Sequence, residues 1–80
     1  MNKHKGFVAV NVSTGEALSV YNALKKRPEV VSIYLVAGMY DLILVVETDT
    51  SESFADFVVQ EIQKTKGVTH TMTCMALRGE

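Results

Sequence analysis

Apolar and polar positions along the chain fall into six blocks separated by turn-forming residues. Residues 6–12 (GFVAVNV) read as a first strand, with Val8, Val10 and Val12 on one face and Phe7, Ala9 and Asn11 on the other. Ser13-Thr14-Gly15-Glu16 reads as a helix start. Ser13 is placed to cap, and Glu16 to reach back as in a capping box. Ala17, Val20, Tyr21 and Leu24 then recur at i, i+3, i+4 and i+7, one apolar stripe of a helix. Lys25-Lys26-Arg27 fill its last turn and suit the negative end of its dipole. Pro28 stops it. Residues 30–36 form the expected second strand and residues 42–48 the third. Asp49-Thr50-Ser51-Glu52 opens a second helix, with Phe54, Phe57, Val58 and Ile62 at helical spacing. Gly67, after Lys64 and Lys66, sits where a C-cap glycine belongs. Residues 68–77 are the fourth strand, and Arg78-Gly79-Glu80 a frayed end.

The order is β-α-β-β-α-β, and the two halves share a plan: strand, polar cap, helix ending in basic residues, breaker, then a valine opening the next strand. That is the ferredoxin-like α+β sandwich, a four-stranded antiparallel sheet with two helices on one face. Residues 1–80 make one domain. The third strand does not alternate. Leu42-Ile43-Leu44-Val45-Val46 puts large side chains on both faces, and two helices cover only one. Leaving the other face in water would cost several kcal/mol at about 25 cal/mol per Å². Face-to-face dimerisation is the simplest remedy; a hydrophobic ligand or partner protein is the rival occupant.

Composition narrows the function classes. A net charge of −1 gives no general pull toward nucleic acid or anionic membrane. No apolar run approaches the roughly 18–20 residues needed to cross a bilayer. The basic start, Met1-Asn2-Lys3-His4-Lys5, is not followed by a secretory apolar stretch, so a cytoplasmic protein is expected. Cys74 is the single cysteine, which rules out an internal disulfide and a cysteine-rich metal site.

Few side chains suggest chemistry. His4 lies in the basic tail and His70 early in the last strand, and neither has clustered partners for metal. Cys74 stands in an apolar setting and reads as a buried, inert thiol. Neither a catalytic residue nor a cofactor is expected, and the chain does not read as an enzyme. RNA-binding domains of this topology stack bases on central-strand aromatics, and the third strand has none. The informative stretch is the loop Gly38-Met39-Tyr40-Asp41. Gly38 permits positive φ, which exposes successive N–H groups able to hold a carboxylate. Asp41 can hold an ammonium group or, equally, tie down backbone N–H donors of the turn. Thr71 and Thr73 form a second polar pair on one face of the last strand.

The loop Gly38-x-Tyr40-Asp41, preceded by Val30-Val31-x-x-Tyr34 and followed by an apolar strand, resembles the effector-binding (RAM) domain of the Lrp/AsnC transcription regulators. Gly67-Val68-x-x-Thr71-x-Thr73 is similar to that family's last strand, and the resemblance spans about residues 6–77. It implies subunits that dimerise through sheet faces, then assemble into octamer- or decamer-like rings. It also implies a small effector, usually an amino acid, bound between dimers. Carried over by position, Gly38, Met39, Tyr40 and Asp41 would line that pocket, with Thr71 and Thr73 on its second wall. Family regulators carry a helix-turn-helix before this module, whereas five residues precede the first strand here. The chain therefore resembles the stand-alone form, expected to sense an amino acid or to co-assemble with a full-length regulator without itself binding DNA. Two other modules share the strand order. An ACT-like regulatory domain would bind near Gly15, and a small dimeric αβ-barrel enzyme would need inward-facing polar groups that this sequence lacks.

Overall fold

The computed structural model describes residues 3–79. Its elements are β1 (His4–Val12), α1 (Ala17–Leu24), β2 (Val30–Leu35), β3 (Leu42–Thr48), α2 (Ser51–Asp56) running into a π-helical segment (Phe57–Ile62), and β4 (Val68–Met75). The strands form one antiparallel sheet in the order β2-β3-β1-β4. This is the ferredoxin-like arrangement expected from the sequence. The two apolar strands β1 and β3 are central.

The pleat separates two faces. Val8 and Val10 of β1 and Leu42, Leu44 and Val46 of β3 are wholly buried, packed with Val20 and Leu24 of α1 and Phe54, Phe57, Val58 and Ile62 from the second helical stretch. Burying each such side chain contributes about 1.5–3 kcal/mol. The alternate residues face away from the helices: Phe7 and Ala9 on β1, Ile43 and Val45 on β3, Tyr34 on β2, and Met72 and Cys74 on β4. Phe7 and Met72 remain nearly half exposed there.

Local sequence explains most of the element ends, but β1 starts at His4, two residues before the expected start, β2 stops at Leu35, one residue short, and further differences appear at the helices and the last strand. The second helix has a reciprocal cap: Thr50 Oγ1 accepts from the Ser53 N–H at 3.0 Å, and Ser53 Oγ accepts from the Thr50 N–H at 3.1 Å. The expected Ser13 cap does not form. α1 begins at Ala17 with Glu16 as N-cap and no side-chain capping bond. Gly15, at φ +84°, turns the chain before it, and the Ser13 N–H donates instead to the Gly67 carbonyl at 2.8 Å. α1 also ends at Leu24, so Lys25, Lys26 and Arg27 lie just past it; Arg27 pairs with Glu61 of the π segment. The last strand stops at Met75, two residues short of expectation.

Gly6 sits where β1 meets the second helix. A Cβ there would lie 2.5 Å from Phe54 Cζ and 2.8 Å from the Cys74 carbonyl oxygen, so the ring packs directly on the strand backbone. Gly6→Ala is expected to destabilise the fold by about 1–3 kcal/mol, the usual cost of overpacking. Thr50→Ala, which removes the cap, is expected to cost about 1 kcal/mol. Urea denaturation of both variants measures these losses.

Candidate functional site

Three connections meet at one end of the sheet. There β1 and β2 exit and β3 and β4 enter, which gathers residues 13–16, 36–41 and 63–67 around Val12. The binding loops of the Lrp/AsnC-like and the ACT-like readings thus lie at the same end, and the geometry joins them.

The 36–41 loop is closed by the Val36 N–H donating to the Asp41 carbonyl at 3.0 Å. Asp41 then continues the ladder beyond β3. Its N–H donates to the Val10 carbonyl at 3.0 Å, and its Oδ2 accepts from the Val12 N–H at 2.9 Å. The carboxylate replaces the strand carbonyl that β3 no longer supplies, so Asp41 fastens the loop to β1. A charge-assisted bond of this kind contributes about 1.5–3 kcal/mol. The donor is a strand N–H rather than one of the turn's own.

Tyr40 reaches further. Its hydroxyl donates to Met72 Sδ at 3.3 Å. Met72 pairs with Ala9 across β1·β4, on the face away from the helices. Because β1 lies between β3 and β4, the phenol crosses β1 on that open face. Asn11 occupies the next outward position of β1, and its Oδ1 is shielded from solvent without a hydrogen-bond partner. Gly38 adopts φ +135°, with open space where a Cβ would stand, and Met39 is 83% exposed.

Thr71 and Thr73 pair with Val10 and Val8, so they stand on the helix side of β4, across the sheet from the Tyr40 hydroxyl. Thr71 Oγ1 accepts from Gln63 Nε2 at 3.1 Å. A shallow groove of ≈ 370 Å³ runs beside them, lined by Gln63, Val68, Thr69, His70 and Thr71. The structure therefore fastens Asp41 to β1 and carries Tyr40 across it, with Gly38 open beside them, while Thr71 stands near the same end on the other face and Thr73, opposite Val8, farther along β4. Sequence reading missed Gln63. Its N–H donates to the Val58 carbonyl, five residues back. A regular 3.6-residue pattern carries no signal for such a π turn.

Cys74 faces the open side opposite Phe7 and is exposed in the single chain, a departure from the expected buried thiol. A groove of ≈ 820 Å³ lies at the opposite end of the sheet and is lined in part by Lys3, Lys5, Phe7 and Arg78. Two of its cations are engaged, Lys3 with Asp49 at 3.5 Å and Lys5 with Glu47 at 3.4 Å. Among the described residues no group of three or more His, Cys, Asp or Glu is placed to hold a metal ion, and no helix is long and apolar enough to cross a membrane.

A ferredoxin-like α+β domain with two helices on one face, an open apolar sheet face and a Gly-x-Tyr-Asp loop fastened to its central strand has the plan of a ligand-binding module. The particular family follows from comparison: residues 5–79 match the model of the Lrp/AsnC ligand binding domain, and the chain belongs to that family. A curated relative, the HTH-type transcriptional regulator FL11 of Pyrococcus furiosus (strain ATCC 43587 / DSM 3638 / JCM 8422 / Vc1), is 33% identical over 76 residues, covering 92% of this chain and 50% of the relative. The chain thus spans about half the length of the curated relatives it matches. Among solved structures, FFRP-DM1 superposes with a TM-score of 0.90 at 34% identity, covering 92% of this chain and 99% of that one. The regulator NMB0573 of Neisseria meningitidis, solved as a complex with L-Met, shares the fold at a TM-score of 0.84 and 22% identity, covering 94% of this chain and 50% of that one.

Asp41→Ala should strip the Val12 N–H of its acceptor and cost about 1–3 kcal/mol. Asp41→Asn, which keeps an oxygen there, should cost less. Urea midpoints of the two variants test the ranking, and equal losses would count against the Val12 bond.

Proposed function

We propose that the chain is an amino-acid-binding regulatory module that assembles through its open sheet face and modulates full-length Lrp/AsnC regulators. The observation that carries this reading is the Gly38-x-Tyr40-Asp41 loop, which in a member of this ligand-binding family is held at the junction of β1 and β3 with its glycine open to solvent. N–H groups beside Gly38 would take the effector's α-carboxylate. Asp41 Oδ1, which the Val12 bond leaves over, would take its α-ammonium. Met39, almost fully exposed, would meet the effector's side chain. Thr71 and Thr73 would form a second wall on the helix side of β4. The L-Met complex of NMB0573 supports the ligand class, as a protein of the same fold.

The exposed apolar face supports assembly. Phe7, Tyr34, Val45, Met72 and Cys74 lie together on a sheet side that no helix covers, and an isologous contact between two copies would remove them from water. Higher rings would follow from contacts between such dimers. Co-assembly with a full-length relative would use the same surfaces, since the chain matches about half of one.

Isothermal titration against the twenty amino acids is expected to give heat with at least one of them. Asp41→Ala and Gly38→Val should abolish it. Absence of heat and of thermal shift with all twenty would remove the sensing role. For assembly, Val45→Asp should weaken the dimer by roughly a hundredfold or more, because a buried unpaired charge costs several kcal/mol. Light scattering reads the mass. Cys74 should react freely with a thiol reagent in the Val45→Asp chain and be protected in the wild type; equal reactivity in both would overturn the sheet-face contact.

A further inference from the structure

We infer that Met72 is the positioning residue of the effector loop: its thioether, by accepting the Tyr40 hydroxyl, holds the phenol across β1 and so sets the conformation that Gly38 and Met39 present. This inference rests on the reading of the 38–41 loop as the effector site.

The geometry behind it is asymmetric. At its C-terminal end the loop is fastened three times: the Asp41 carbonyl accepts from Val36, the Asp41 N–H donates to Val10, and Oδ2 accepts from Val12. Between Val36 and Asp41 no hydrogen bond among the described residues holds residues 37–40 except the one that Tyr40 makes with Met72. Gly38, at φ +135°, adds no restraint of its own, because glycine populates that region freely. Tyr40 is therefore the second anchor, and its anchorage is a sulfur atom on a different strand. Ala9, directly opposite Met72, leaves the phenol a path over β1 that a larger side chain would fill.

The chemistry makes Met72 more than packing. A thioether is a weak acceptor on a flexible, unbranched stem. A leucine would keep the apolar volume and lose the acceptor. A glutamine would lose the apolar end and supply a better acceptor at similar reach. A residue that merely fills space should tolerate leucine and reject glutamine. A residue that positions Tyr40 should do the reverse.

The test uses the full chain and 15N relaxation of the backbone amides of residues 37–41, with Met72→Leu, Met72→Gln, Tyr40→Phe and the Tyr40→Phe/Met72→Leu pair. Met72→Leu and Tyr40→Phe should each lower the order parameters of Gly38, Met39 and Tyr40. The pair should do no more than either alone, and Met72→Gln should return them toward the wild-type values. The Asp41 amide, bonded to Val10, should stay rigid throughout and confirms that each variant is folded. Wild-type order parameters in Met72→Leu, or additive effects in the pair, would overturn the inference. So would lower order parameters in Met72→Gln than in Met72→Leu. A parallel amino-acid titration separates the two levels. If the wild type binds none, the effector reading fails while the relaxation pattern still decides what Met72 does. If it binds one, Met72→Leu should weaken that binding and Met72→Gln restore it.

Discussion

The structure depends on β3 lying between two neighbours with apolar side chains on both of its faces. Leu42, Leu44 and Val46 point to the helices and are wholly buried, and Ile43 and Val45 point the other way. Hydrophobic burial on the first side recruits both helical stretches, because each presents a stripe that β3 and β1 complete. The second side is left with Phe7, Tyr34 and Met72 about half exposed. The fold is thus closed on one side and open on the other. A strand apolar at five successive positions, as residues 42–46 are, requires two covering layers, and the helical stretches supply one.

Around that central pair, the end of β1 acts as a node. Val12 donates to the Asp41 carboxylate, Ser13 donates to the Gly67 carbonyl, and Val10 accepts from Asp41. Three connections far apart in sequence are thereby held to one strand end by backbone groups that would otherwise lack partners. Asp41 serves the fold through Oδ2, which accepts from the Val12 N–H, and the proposed site would use its other oxygen. The same economy holds for Thr71, whose hydroxyl is oriented by Gln63.

Much of this was legible from residues alone, for stated reasons. Period-two alternation in residues 6–12 and the unbroken apolar run 42–46 identified the central strands, and the stripe Phe54-Phe57-Val58-Ile62 identified the second helix. The second helix start was read correctly within residues 49–52, though not its Thr50–Ser53 cap, and the cap at Ser13 was read wrongly. The difference is tertiary: Gly67 claims the Ser13 N–H, and the chain turns at Gly15 before helix begins. Cys74 was expected to be buried from its apolar neighbours. Its register opposite Phe7 puts it on the face that no helix covers. The family resemblance carried by Gly38-x-Tyr40-Asp41 was visible as spacing, and the family model confirms it over residues 5–79.

By itself, then, the sequence determined the element order, the ferredoxin-like plan, the apolar identity of both sheet faces and the family. The first three rest on local periodicity and on turn residues, which need no knowledge of distant neighbours, and the family rests on a motif resemblance. Only the tertiary structure decided which backbone donor Asp41 serves, that Tyr40 spans β1 to reach Met72, that Thr71 and Thr73 stand on the opposite face, and that a π turn brings Gln63 to β4. The reason is physical. Each of these depends on register between strands or on the rotation of a helix over a sheet, and a one-residue change in either sends a side chain to the other face.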